Sequence, residues 1–184
     1  MNDVAEPVPR APASRASAGR ILVLIGRLAL AAVFLVAAYA KLKPQVIMPW
    51  STASVKTSLA MFAMQVDSYQ LLPPSYVSAV AHALPPFELF LGLWLLGGIA
   101  QRFSTLASTL LIAGFFTVVV RTYALGLSIN CGCFGPGEQL GTTTLLRDGS
   151  LLALSAAVTI GAFLLRRKRG EAVSSAVAAP QRAE

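Results

Sequence analysis

Four long apolar stretches of the sequence leave few folds open to this chain. They cover about residues 21–42, 77–99, 103–127 and 145–165, and a helix of that length crosses the ~30 Å hydrocarbon core of a bilayer. Hydrophobic residues make up 55% of the chain and charged residues only 12%, whereas a soluble domain has about 25% charged residues. The sequence therefore predicts an all-α, polytopic membrane protein built as a four-helix bundle.

The two ends of the chain differ from these stretches in composition. Residues 1–19 and 167–184 have no apolar period, so we expect disordered tails around one transmembrane domain at 20–166. The basic start and the Ala-Tyr-Ala at 38–40 are also typical of a cleavable signal peptide. The apolar run is longer than the ~7–15 residues of a signal core and contains Arg27, which favours a retained first helix.

The connection between the first two spans has a helical pattern of its own. Val55, Leu59, Phe62 and Val66 recur at steps of four, three and four residues, which places them on one helix face. This predicts an extra interfacial amphipathic helix between helices 1 and 2, either a lid near the cysteines or a simple membrane anchor. The second span contains the pair Pro85-Pro86, so we expect it to begin upstream of the prolines and to kink there.

The basic residues indicate how the bundle is oriented. Nine of them flank one side of the four spans and four flank the other, Lys41, Lys43, Lys56 and Arg147. Because positive residues concentrate in the cytoplasm, the termini are predicted to be cytoplasmic and the loop after helix 3 periplasmic or extracellular, in a bacterial inner membrane. The net charge of +7 is spread over span ends and forms no stripe, which excludes nucleic-acid binding.

Both cysteines of the protein lie in that outward loop, in the run Asn130-Cys-Gly-Cys-Phe134. A disulfide between Cys131 and Cys133 would close a very small ring, which is strained and readily exchanged, and Gly132 supplies the backbone freedom that it needs. A stabilising disulfide gains most from closing a long loop, so a structural staple is the weaker interpretation. Two Cys and one His cannot complete a zinc site within one chain, and we expect no metal.

Three further polar residues lie in or beside the apolar segments. Glu88 on helix 2 and Arg121 on helix 3 are expected at similar depth beneath the cysteine loop. They would form either a polar site that tunes the thiols or a bundle-stabilising ion pair. His82, the only histidine, is either a proton relay or an ordinary interfacial residue.

A set of short motifs resembles the DoxX/MauE group of four-helix membrane proteins over about residues 20–165. The motifs are Arg27-Leu-Ala-Leu-Ala-Ala-Val-Phe34 leading to Lys41-Leu42, Tyr69-Gln-Leu-Leu-Pro73, Leu84-Pro-Pro-Phe-Glu88, Arg121, Cys131-Gly-Cys-Phe134-Gly and Arg147-Asp148. The resemblance implies a redox-associated membrane protein. Its MauE branch implies a role in maturing methylamine dehydrogenase beside a thioredoxin-like partner, with Phe134 and Arg147 supporting the cysteines.

These observations predict a membrane thiol-disulfide oxidoreductase with Cys131 and Cys133 as its catalytic pair. One dithiol holds two electrons and no second cysteine pair exists, so electrons must pass to a membrane quinone or to a periplasmic thioredoxin-like or client redox protein. The alternative is a non-enzymatic membrane scaffold for maturing a periplasmic redox enzyme, with the Cys-Gly-Cys loop as a structural element. The oligomeric state does not follow from the sequence.

Overall fold

The computed structural model describes residues 13–43, 51–127, 129–131 and 139–178, and within these ranges the chain folds into five helices. The helices are α1 (Ala13–Leu42), α2 (Thr52–Ser68), α3 (Pro74–Gly97), α4 (Gln101–Ala124) and α5 (Thr142–Ala178). Four of them contain a segment long and apolar enough to span a membrane, namely Ala18–Leu42, Pro74–Gly97, Gln101–Ala124 and Thr142–Arg167. The predicted all-α polytopic bundle is confirmed.

Helix extends into both segments that were predicted to be disordered tails. α1 begins at Ala13 and α5 continues to Ala178. The added turns are rich in Ala, Arg and Ser, and they grow from a helix whose nucleation cost has already been met. Residues 1–12 and 179–184 lie outside the described residues.

The predicted helix between the first two spans is α2, although its buried face differs from the predicted one. Ser54, Ser58 and Phe62 are buried, whereas Val55 and Leu59 are only half-buried. Ser58 Oγ donates to the carbonyl of Lys43 at 2.8 Å, and Ser51 caps the helix through the amide of Ser54. The small serines allow α2 to lie close to the end of α1, and Phe62 is the member of the apolar period that is buried with them.

α3 begins upstream of its two prolines, as predicted, and continues through them. Pro74 occupies the first helical turn, where a missing amide donor costs little, and the helix includes Pro85 and Pro86. The helix ends at Gly97 and is capped by Gly98, whose backbone is left-handed at φ 65°. The turn to α4 is therefore formed by residues 98–100, and α4 begins at Gln101.

The core lies where α1, α3 and α5 meet. It is formed by Leu30, Ala31, Phe34, Leu91, Leu95 and Val158. Two glycines mark close approaches between helices, because a Cβ on Gly92 would lie 2.9 Å from Leu35 and a Cβ on Gly161 would lie 2.6 Å from Val23. Small residues at such crossings are typical of helix packing in membranes.

Candidate functional site

The loop that contains the cysteines begins and ends in a short paired stem. Asn130 forms an antiparallel bridge with Gln139, and the amide of Leu140 donates to the carbonyl of Ile129 at 2.9 Å. The predicted site residues Gly132, Cys133 and Phe134 lie between the two sides of this stem, outside the described residues. The pairing holds the two ends of the loop together beside the start of α5.

Cys131 is the described cysteine, and it is anchored to a distant part of the chain. Its residue surface is 3% exposed. The hydroxyl of Tyr69, just after α2, donates to the Cys131 carbonyl at 2.6 Å. This hydrogen bond joins residues 62 positions apart, so the connection between α2 and α3 fixes the backbone of the cysteine loop.

Cys131 also lines a cavity of about 400 Å³ that lies between α2, α3 and α4. Phe62, Tyr69 and Phe115 supply aromatic walls, and Gln65 is a polar residue in an otherwise mostly aliphatic lining. The aliphatic residues are Val66, Leu71, Leu72, Val80, Leu84, Leu110, Leu111 and Val118. This volume and composition are typical of small-molecule sites.

The buried charge of α3 has a partner that the sequence analysis did not assign to it. Lys41 Nζ lies 2.9 Å from both carboxylate oxygens of Glu88, and the two residues are each 4% exposed. The same ammonium group lies 5.4 Å from the ring centre of Phe62. The expected pairing of Glu88 with Arg121 is therefore wrong, because α3 turns Glu88 towards α1 and Arg121 is exposed on α4.

A second, smaller cavity of about 60 Å³ adjoins this ion pair. Lys41, Glu88 and Asp148 supply its polar lining. Leu111 and Phe115 line both cavities, so these two side chains separate the buried charges from the larger apolar space. Asp148 also accepts a hydrogen bond from Nε of its neighbour Arg147 at 2.9 Å.

The remaining predicted site residues are not brought to Cys131 by the fold. His82 is exposed, and its Nδ1 lies 2.7 Å from the carbonyl of Ser78 in its own helix. Neither His82 nor Arg121 lines either cavity. Their supporting roles remain predictions, and the structure offers no contact that favours them among the described residues.

Three residues of the site were not predicted from the sequence, namely Lys41, Tyr69 and Gln65. Lys41 was counted as a loop charge, although a lysine directly at the end of an apolar span is also close enough to enter the bundle. Tyr69 belongs to the Tyr-Gln-Leu-Leu-Pro motif, and its phenol is a donor that must find a partner when buried. No local pattern marks Gln65, because its place depends on the rotation of α2.

The family comparison agrees with this architecture. The model of the family described as methylamine utilisation protein MauE matches residues 19–163, which includes the first three predicted spans, the cysteine loop and all but the last two residues of the fourth span. This match confirms the MauE part of the resemblance, whereas the wider DoxX grouping stays a prediction. Comparison with curated proteins and with solved structures finds no match. Because the matched region covers most of the chain, this multi-pass membrane protein belongs to the MauE family.

Proposed function

We propose that this protein is a membrane thiol-disulfide oxidoreductase whose Cys131 and Cys133 exchange electrons with a redox protein outside the cytoplasm. The family name connects the protein to methylamine utilisation. The client would then be a thioredoxin-like protein or an enzyme of that process that needs disulfides during maturation.

The observation that supports this proposal best is the anchoring of Cys131. Tyr69 holds its carbonyl at 2.6 Å, and the paired stem of Asn130 and Gln139 closes the loop behind it. Thiol exchange requires a sulfur held in a fixed direction relative to the incoming thiolate. The two anchors restrict the backbone position from which the Cys131 thiol is presented.

Thiol exchange would transfer two electrons and two protons from the partner to the cysteine pair. A thiolate of the partner attacks one sulfur of the Cys131–Cys133 disulfide, forming a mixed disulfide and releasing the other cysteine as a thiolate. The second thiol of the partner then displaces the protein. The partner leaves with a new disulfide, and two electrons and two protons remain on the cysteine pair.

The proposed orientation places the cysteine loop on the outer side of a bacterial inner membrane. The excess of basic residues on the side of the termini supports this orientation. Lys41 is buried in an ion pair, so one of the four basic residues counted on the outer side does not lie in a loop. The outer side is also where disulfides persist.

A redox titration tests the proposed chemistry. Purified protein is equilibrated in graded thiol buffers, and its cysteines are alkylated and weighed. We expect Cys131 and Cys133 to be oxidised and reduced together within the physiological range of redox potentials. We also expect one of the variants Cys131→Ser and Cys133→Ser to trap a mixed disulfide with the partner. A pair that stays in one state across that range would contradict the proposal.

A non-enzymatic scaffold is the second candidate, and the deep burial of Cys131 at 3% exposure favours it. In that case the loop would be a structural element that docks a maturation partner. The two candidates differ in the double variant Cys131→Ser/Cys133→Ser. An oxidoreductase loses all client oxidation, whereas a scaffold with a correctly folded loop retains full maturation of the client.

Orientation is tested with single cysteines placed at opposite ends of the bundle in a Cys131→Ser/Cys133→Ser background. Gln139→Cys lies at the exposed stem of the loop, and Ile99→Cys lies in the α3–α4 turn, where Ile99 is 72% exposed. We expect an impermeant maleimide to label Gln139→Cys on intact cells and Ile99→Cys only after lysis. The opposite pattern would reverse the topology.

A further inference from the structure

We propose that the cavity of about 400 Å³ beside Cys131 binds the head group of a lipid-soluble quinone, which accepts the electrons of the reduced cysteine pair. The electron-transfer part of this inference rests on the proposed thiol exchange, whereas the binding site stands on the cavity itself.

The lining suits an uncharged, flat ring. Phe62, Tyr69 and Phe115 offer aromatic faces, and the described lining contains no charged side chain. Aromatic rings stack with planar partners in offset or edge-to-face arrangements. An anionic or cationic solute would lose its hydration here without gaining a counter-charge, so the cavity selects for an apolar ligand.

One polar group in the lining is available to a carbonyl oxygen. The Tyr69 hydroxyl already donates its proton to Cys131. The side-chain amide of Gln65 makes no hydrogen bond with any residue that the structure describes. Since a quinone has two carbonyl oxygens and no donor, an amide N–H in an apolar cavity is the complementary group.

Part of the cavity lining is exposed on α4, a helix long and apolar enough to span a membrane. Leu110, in the middle of α4, is 65% exposed and lines the cavity, and Leu71 and Leu72 are exposed at its rim. A molecule dissolved in the bilayer can therefore enter from the side.

The two-electron chemistry balances without a further reagent. The chain has two cysteines, so the reduced pair must lose its electrons before it can act again. Both S–H bonds break, the Cys131–Cys133 bond forms, and the two electrons and two protons pass to the quinone oxygens to give a quinol. Cys131 lies in the cavity wall, so one thiol of the pair is beside the proposed acceptor.

Photolabelling of the full-length protein in nanodiscs tests the binding site. An azido-benzoquinone with a short alkyl tail is the probe, and labelled peptides are identified by mass spectrometry. We expect labelling within α2 and α4 that unlabelled quinone prevents and excess phospholipid does not. Labelling that phospholipid prevents equally would show an acyl-chain pocket and would overturn the proposal.

Two matched glycine variants test whether the cavity is the site. A side chain at Gly114, which lines the cavity, would meet no atom within 4 Å of its Cβ, so Gly114→Trp fills the space without a clash at the backbone. Gly97→Trp makes the same change at the other end of the bundle, where the nearest atom is 3.9 Å away. We expect Gly114→Trp to lower labelling about tenfold or more and Gly97→Trp to leave it unchanged.

A single-turnover assay separates this inference from the proposed function. Protein reduced with a phosphine and freed of reductant is mixed with one equivalent of quinone, and quinol and protein thiols are measured. Wild-type protein should reduce the quinone, and Cys131→Ser/Cys133→Ser should bind it without reducing it. Absent labelling, or bound quinone that stays oxidised, overturns the inference even if the oxidised protein still oxidises a dithiol peptide. Failure with the peptide alone overturns the proposed function instead.

Discussion

Lys41 and Glu88 form a two-pronged ion pair between α1 and α3, with Lys41 Nζ 2.9 Å from each carboxylate oxygen. The lysine and glutamate side chains are only 2% and 5% exposed. Phe62 of α2 covers the ammonium group, and Asp148 of α5 lines the small cavity beside it. The pair therefore stands where α1, α2, α3 and α5 converge, next to the wall that separates it from the cavity at Cys131.

Replacing Lys41 with methionine should destabilise the bundle strongly. The apolar stem is kept, but the Glu88 carboxylate loses its buried partner, at a cost of about 3–5 kcal/mol. The double variant Lys41→Met/Glu88→Met removes both charges and should recover most of this loss. The free energies of unfolding of the single and double variants are measured in detergent and compared with that of the wild-type protein. A single variant as stable as wild-type protein would contradict a buried, mutually dependent pair.

Close contact between α1 and α5 should make Gly161 sensitive to any added atom. A Cβ at this position would lie 2.6 Å from Val23, so Gly161→Ala forces the two helices apart and costs about 1–3 kcal/mol. Gly114→Ala is the matched control, because its Cβ meets nothing within 4 Å and alanine is the better helix former. Thermal unfolding in detergent should rank Gly161→Ala well below the control, and equal midpoints would contradict the packing.

Two adjacent glycines at the turn between α3 and α4 should differ in their tolerance of substitution by alanine. Gly98 has φ 65°, which costs an alanine about 1 kcal/mol, and a Cβ there would also lie 2.6 Å from the Arg27 guanidinium, whereas Gly97 is helical and its Cβ would meet only Ile99, at 3.9 Å. Gly98→Ala should therefore lower the unfolding midpoint and Gly97→Ala should not. Equal effects of the two substitutions would show that the left-handed backbone is not what requires glycine.

The spans could be predicted from the sequence because they depend on local composition. Long apolar runs, such as those that end near Lys41 and Gly98, indicate membrane-spanning helices however the helices pack against each other. The order of the spans also predicted Glu88 and Arg121 at similar depth beneath the cysteine loop. Depth alone suggested Arg121 as the partner of Glu88, since the two residues lie on consecutive helices.

The rotation of each helix about its axis could not be predicted in the same way. Glu88 faces Lys41, 47 residues away, because α3 packs closely on α1 through Gly92 and Leu35. The cavity at Cys131 is harder still, since it is space that α2, α3 and α4 leave unfilled. No single stretch of sequence encodes such a space, because its shape depends on the positions of the Phe62 and Phe115 side chains in the folded bundle.

Loss of the Tyr69 hydroxyl should make Cys131 easier to reach. Tyr69→Phe keeps the ring in the cavity wall and removes the 2.6 Å hydrogen bond to the Cys131 carbonyl, worth about 1 kcal/mol. Local opening of the loop then becomes about fivefold more frequent, and the alkylation rate of reduced Cys131 rises by the same factor. The rate is measured with iodoacetamide in a Cys133→Ser background, so that one thiol reacts.

Tyr76→Phe is the matched control, because Tyr76 is 61% exposed and its hydroxyl bonds to no described residue. An unchanged rate in Tyr69→Phe would mean that the stem of Asn130 and Gln139 alone positions the cysteine.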